Sequence, residues 1–251
     1  MRIAVVQDPS PAGATERALA SLRSSLLAAA AAGARVTLFP ELFLPGYNVP
    51  DPGVGARTAA AWDAVFGPLA AEAGCAVAVG LAEREGGCLF NSAMAWDAGG
   101  RRLALYRKTQ LYGAREKRFF EPGDRLVTFD LDGTRAALLI CYDVEFPELL
   151  RDLAARGVRL VLCPTANMQP FVHVPAVTVP AQAVIHGVAI AYANHCGTEG
   201  DLTYTGGSCL VAADATVLAQ AGPGPALLIA DLLPADPARL STQGRDFRPV
   251  E

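Results

Sequence analysis

TRAALLICYDVEFPELLRDLAARGVRLVLC, residues 134–163, is the stretch on which the fold is decided. Thr134–Ile140 is an apolar run of strand length. A helix over 147–156 follows, and a second strand, Arg159–Cys163, closes the unit. A strand, a helix and a further strand in succession point to a layered α/β architecture.

The same alternation continues outward in both directions. Upstream, Leu126–Asp130 forms a hairpin with Thr134–Ile140 around Asp132-Gly133. Downstream, a helix ends near Gly187 and strand Val188–Asn194 follows. Strands Thr205–Ala212 and Thr216–Ala219 flank Asp214, Ala226–Asp231 is the last strand, and the final twenty residues form an extended tail. At the N-terminal end, Arg2–Gln7 reads as a buried strand. Thr15 offers an N-cap to a helix that runs to Ala32 and stops at Gly33. Val36–Phe39 is a strand ending at Pro40-Glu41, and residues 42–55 are a loop rich in Pro and Gly. A helix over 57–73, a strand over 75–82 and strands Asn91–Asp97 and Arg102–Lys108 around Ala98-Gly99-Gly100 complete the series. No linker divides the chain, so residues 1–251 are expected to form a single domain. The strand–helix–strand order occurs early and late, which allows two similar sheets packed face to face.

Composition narrows the function classes. The chain has 251 residues, 52% of them hydrophobic and 18% charged, enough apolar material for a large core. A net charge of −4 gives no basic face for a nucleic-acid partner. No apolar stretch is long enough to span a bilayer, and Met1-Arg2 leads straight into strand Ile3–Val6 without a signal peptide, so a cytoplasmic location is expected. Six cysteines at wide spacing, with no CxxC pair, read as reduced and mostly buried thiols rather than a zinc site. No metal or organic cofactor is expected.

Three residues at the C-terminal ends of expected strands carry the chemistry, at the edge where layered α/β folds place their sites. Cys141 stands between a strand and a helix, where turn N–H groups can activate a thiol and bind an oxyanion. Glu41, in Leu38-Phe39-Pro40-Glu41-Leu42-Phe43, sits among apolar residues that raise a carboxyl pKa and suit it to general-base work. Lys108 is one of only two lysines among 21 basic residues, the other being Lys117. A compact ammonium can sit beside a thiolate where a planar guanidinium would not fit.

Phe39-Pro40-Glu41 with Pro45-Gly46-Tyr47, Tyr106-Arg107-Lys108-Thr109, and Cys141-Tyr142-Asp143 with Phe146-Pro147-Glu148 together resemble the nitrilase, or carbon–nitrogen hydrolase, superfamily. The likeness runs from Ile3 to Asp231. It implies a four-layer α-β-β-α sandwich that assembles as a homodimer or higher homo-oligomer. It implies Glu41 as general base, Cys141 as nucleophile, and Lys108 with the Tyr142 N–H as oxyanion donors. Glu116 occupies the place of the family's second glutamate, with Glu121 nearby. Tyr47, Asn167, Glu145 and Phe146 join Tyr142 in the implied oxyanion and substrate-binding set. Pro164-Thr165-Ala166-Asn167-Met168, Tyr192-Ala193-Asn194 and Cys196-Gly197 are similar to 5-aminopentanamidase-like members, and Cys141–Glu148 resembles aliphatic and stereoselective amidases. The expected substrate is thus a small, aliphatic carboxamide, with ω-amino amides included. N-carbamoyl hydrolase and nitrilase activities use the same triad.

One departure stands out. Relatives carry Arg-Ala-x-Glu-Asn where this chain has Gln182-Ala183-Val184-Ile185-His186. It bears on the dimer interface and on the support behind the site, and it leaves open a catalytically silent binding protein. A Cys–His hydrolase using His173, His186 or His195 is the other alternative. Pro180 fits the first turn of that helix, since an interior proline costs about 3 kcal/mol.

Overall fold

The computed structural model describes residues 1–248. Its first half contains strands β1 (Arg2–Pro9), β2 (Val36–Leu38), β3 (Ala76–Glu85), β4 (Cys88–Trp96) and β5 (Arg102–Arg107), with helices α1 (Thr15–Ala31), α2 (Ala59–Ala73) and α3 (Gly113–Phe119). Next come β6 (Thr128–Leu131), β7 (Thr134–Leu138), helix α4 (Pro147–Ala155), β8 (Leu160–Pro164), helix α5 (Val179–His186) and β9 (Ala189–Ala193). Three two-residue strands follow, β10 (His195–Cys196), β11 (Thr198–Glu199) and β12 (Leu202–Thr203). Strands β13 (Cys209–Val211), β14 (Val217–Gln220) and β15 (Ala226–Asp231) and helix α6 (Gln243–Asp246) end the chain.

Two sheets form. One runs β15–β1–β2–β3–β4–β5, with β10 pairing the far end of β1. The other runs β14–β13–β9–β8–β7–β6. Each has a parallel core of three strands, β1–β2–β3 and β7–β8–β9, flanked by antiparallel pairs. The alternation of β1 explains the layering. Ala4 and Val6 pack against Leu22 and Leu26 of α1 and Trp62 and Phe66 of α2. Ile3 and Val5 point the other way, into a core shared with Leu138, Val161 and Ile190 of the second sheet. Small residues on that inner face, Ala76, Ala78, Ala93 and Ala95, let the sheets approach. Helices α4 and α5 cover the outside of the second sheet through Leu150, Leu153, Val179 and Ala183. The result is the expected four-layer α-β-β-α sandwich. Among the described residues no helix is long and apolar enough to cross a membrane.

Several boundaries differ from the sequence reading. Thr15 is the first residue of α1; Ala14 holds the N-cap position with no side-chain cap. The strand expected over 75–82 and the strand Asn91–Asp97 extend towards each other to Glu85 and Cys88, because Gly86 and Gly87, both at positive φ, supply a turn. Helix α3 was not expected, since two turns carry too little apolar periodicity. Strand β13 begins at Cys209 rather than Thr205; Thr205 uses its hydroxyl to hold Asn167 and Asn194 instead. Pro180 does sit in the first turn of α5, after a π-helical turn over Val174–Thr178. The tail contains a 3-10 turn at Pro237–Arg239 and α6, and its residues 249–251 lie outside the described residues.

Candidate active site

Glu41 lies just past β2, where the chain turns. Gly80 N donates to Pro40 O at 3.1 Å and Glu41 N to Thr165 O at 3.2 Å, so the turn is tied to both sheets. Gly80 is required at this crossing, since a Cβ there would lie 2.4 Å from Glu41 Cα. The Glu41 side chain is fully buried. Its Oε1 accepts Lys108 Nζ and Asn91 Nδ2, each at 2.7 Å. Among the described residues its Oε2 is buried with no partner. Burial raises the Glu41 carboxyl to about 7, opposed by the Lys108 charge and helped by that of Glu116. Such a group can take up and return a proton near neutral pH.

Lys108 follows β5 and is also fully buried. Its Nζ donates to Glu41 Oε1 and Glu116 Oε1, both at 2.7 Å. Burial works against its charge, but the neighbouring Glu116 and Glu41 outweigh that and hold the ammonium protonated. Glu116 stands on α3. Its Oε1 also accepts the Tyr47 hydroxyl at 2.7 Å, and its Oε2 accepts Tyr112 N at 2.9 Å. Glu121 is exposed and takes no part in this cluster. Tyr47 therefore stands behind Glu116 rather than on the cavity wall.

Cys141 begins a 3-10 turn, Cys141–Glu145, between β7 and α4. Its φ is +45°, an unusual conformation for a side-chain-bearing residue. Asp143, fully buried in the same turn, anchors it: Oδ2 accepts Ile140 N and Tyr106 OH, and Oδ1 accepts Thr109 Oγ1 and Gln110 N, at 2.9–3.0 Å. The Cys141 turn is thereby bolted to the segment that carries Lys108. Burial pushes the Cys141 thiol up and the Glu41 charge adds to this, while Lys108 pulls it down. The thiol thus stays protonated at rest and needs a base to become a nucleophile. Glu41 and Lys108 are directly bonded, and their opposing charges both act on the Cys141 thiol.

Cys141 opens onto a cavity of about 270 Å³. Tyr112, Tyr142 and Phe171 form its aromatic wall, and Tyr112 meets Tyr142 edge-on with ring centroids 5.3 Å apart. Phe146 does not line the cavity; it supports Tyr142 at 4.9 Å. Glu145, Asn167 and His173 are the polar lining groups. Burial raises the Glu145 carboxyl, partly offset by His173. Asn167 spends its amide on Phe171 O at 2.9 Å and Thr205 Oγ1 at 3.2 Å, so it holds the wall in place.

The histidines are accounted for separately. His186 bonds Gln182 at 3.1 Å on α5, beside partly exposed Ile185. His195 is buried against backbone carbonyls. Among the described residues no imidazole bonds Cys141, and no cluster of three or more His, Cys, Asp or Glu side chains could hold a metal. All six cysteines are unpaired; Cys88 is exposed. Sequence reasoning missed Asn91, Tyr112, Asp143 and Phe171. Asp143 and Asn91 carried a signal, as polar residues at the borders of apolar strand runs.

Comparison with known proteins follows the same lines. The family model described as carbon-nitrogen hydrolase matches residues 2–239. A hydrolase encoded in the pqqF 5′ region of Pseudomonas protegens is 41% identical over 80% of this chain and 73% of its own length. An (R)-stereoselective amidase of a Pseudomonas species is 33% identical over 88% of this chain and 81% of its own. An amidase from a Nesterenkonia species superposes with a TM-score of 0.89 at 38% identity, covering 99% of this chain and 93% of that one. A variant of a Nesterenkonia amidase, solved with butyramide, gives 0.88 at 36% identity, covering 99% and 94%.

Proposed function

Because this chain belongs to the carbon–nitrogen hydrolase family, we propose that it is an amidase converting small aliphatic carboxamides to carboxylate and ammonia through a thioester on Cys141. It is a hydrolase acting on carbon–nitrogen bonds. One observation carries the mechanism: a buried Glu41 with a pKa of about 7 is bonded to a buried Lys108, and the charges of both act on Cys141, which lines the cavity.

Glu41 takes the Cys141 proton as the sulfur attacks the amide carbonyl. Lys108 and the Tyr142 N–H hold the resulting oxyanion, a single such donor contributing about 3 kcal/mol. The intermediate collapses as Glu41 returns the proton to the leaving nitrogen, and ammonia departs. Glu41 then takes a proton from water, which attacks the thioester; acid is released and the thiol is restored. Glu116 and Tyr47 keep Lys108 in place and charged.

The cavity suits a short acyl chain, in keeping with the butyramide bound by a Nesterenkonia amidase variant. Glu145, facing that space among aromatic rings, favours a substrate whose far end carries an ammonium, as in an ω-amino amide. Assembly as a homodimer and a cytoplasmic location, where reducing conditions suit six unpaired thiols, belong to the same proposal.

Ammonia release from butyramide, 5-aminopentanamide, matching nitriles and N-carbamoyl amines tests the reading. Fastest turnover on the amides is expected. Faster turnover of nitriles or carbamoyl compounds would overturn it.

A further inference from the structure

His195 lies outside the cavity, is fully buried, and has no part in the cycle above. Its ring nitrogens face two backbone carbonyls: Nε2 lies 2.8 Å from Glu41 O and Nδ1 lies 3.4 Å from Asp8 O. Carbonyls only accept, so a neutral imidazole can serve one of them, and the shorter contact takes the proton. Burial lowers the His195 pKa and favours this neutral form.

The ring is clamped. Phe43 stacks on it with centroids 6.0 Å apart and planes 7° apart, and Tyr204 lies at 5.0 Å. Tyr204 is itself held, its hydroxyl donating to Glu199 Oε2 at 2.5 Å, and Asn48 Nδ2 donates to Glu199 O at 2.9 Å. Strand β10 pairs His195 with Asp8 of β1, so the histidine belongs to the rigid sheet. What it grips is less rigid. Leu42, next to Glu41, has φ +44°, so the catalytic turn carries backbone strain. Among the described residues His195 alone donates to Glu41 O.

We infer that His195 is a positioning residue for the general base: its Nε2–H fixes the carbonyl of Glu41 and thereby aims the carboxylate at Cys141. This rests on the reading of Glu41 as the base. Charged and titratable groups facing the pair are Lys108, Glu116, Cys141 and Tyr47 on the Glu41 side, and Asp8, Glu199 and Tyr204 on the His195 side.

The test is a set of three variants assayed on butyramide, with sites counted by covalent labelling of Cys141. His195→Phe keeps a flat ring between Phe43 and Tyr204 but has no donor. It should lower kcat per labelled site by tenfold or more with KM changed less than threefold. A loosened, better hydrated Glu41 should also move the acid limb of kcat/KM to lower pH. His195→Gln places an amide N–H near the original Nε2 and should regain at least fivefold over His195→Asn, whose amide falls short. A kcat for His195→Phe within twofold of the parent overturns the inference. Should that variant not fold, equal kcat for the Gln and Asn variants overturns it. Glu41→Gln separates the two failures: if it still turns over, the base assignment is wrong, whereas an inactive Glu41→Gln beside a fully active His195→Phe condemns only the positioning role.

Discussion

The Tyr106 hydroxyl donates to Asp143 Oδ2 at 2.9 Å, joining the strand that leads to Lys108 to the turn that begins at Cys141. Tyr106 lies on β5 of the first sheet and Asp143 in the turn that follows β7 of the second, and Asp143 accepts three further hydrogen bonds at the same junction. It is the buried tie that carries the positive φ of Cys141.

Asp143→Asn should therefore hurt both stability and rate. An amide nitrogen cannot accept, so one buried donor is stranded at a cost of about 1–3 kcal/mol. Thermal denaturation should show a lower Tm, and kcat should fall at least tenfold. A variant with parental Tm and kcat would show that the tie is dispensable.

Cys141→Ala should eliminate turnover while the fold persists, because the side chain is half-buried at a cavity and its loss leaves the core intact. Circular dichroism and ammonia assay together check this. Residual activity near the parental value would remove Cys141 from the mechanism.

Lys108→Arg keeps the charge but replaces a compact ammonium in a fully enclosed site by a planar, longer group. A loss of kcat of about a hundredfold is expected, in line with removal of one oxyanion donor. Comparable kcat for Arg and Lys would mean that charge alone suffices.

The acid limb of kcat/KM should follow Glu41. Below its pKa of about 7 the base is protonated, so the rate should fall about tenfold per pH unit as the pH drops. The Glu116 charge raises this pKa, so Glu116→Gln should shift the limb to lower pH. A pH profile flat down to pH 5, or a shift to higher pH in the variant, contradicts the assignment.

Glu145→Gln should reverse preference rather than chemistry. The ratio of kcat/KM for 5-aminopentanamide over butyramide should drop at least tenfold, with butyramide little changed. An unaltered ratio would show that Glu145 does not meet the substrate.

Much of this molecule was readable from local pattern. Apolar runs of strand length, helical periodicity and Gly or Pro punctuation located nearly all the long elements, because those signals arise within a few residues of each other. Short elements escaped. Helix α3 is two turns long and β10 to β12 are two residues each, so their existence depends on what they pack against. Of Glu116 and Glu121, α3 turns the first onto Lys108, and the second lies exposed just beyond it.

By itself the sequence determined the layers and the chemical types available at the strand ends: an acid at 41, an ammonium at 108, a thiol at 141. Only the tertiary structure decided that they meet. Glu41 and Lys108 leave one sheet and Cys141 the other, so their convergence depends on how two sheets pack, which no local pattern encodes. The same burial moved Glu41 to a pKa of about 7 and set His195 against the Glu41 carbonyl, since both outcomes are set by neighbours distant in the chain.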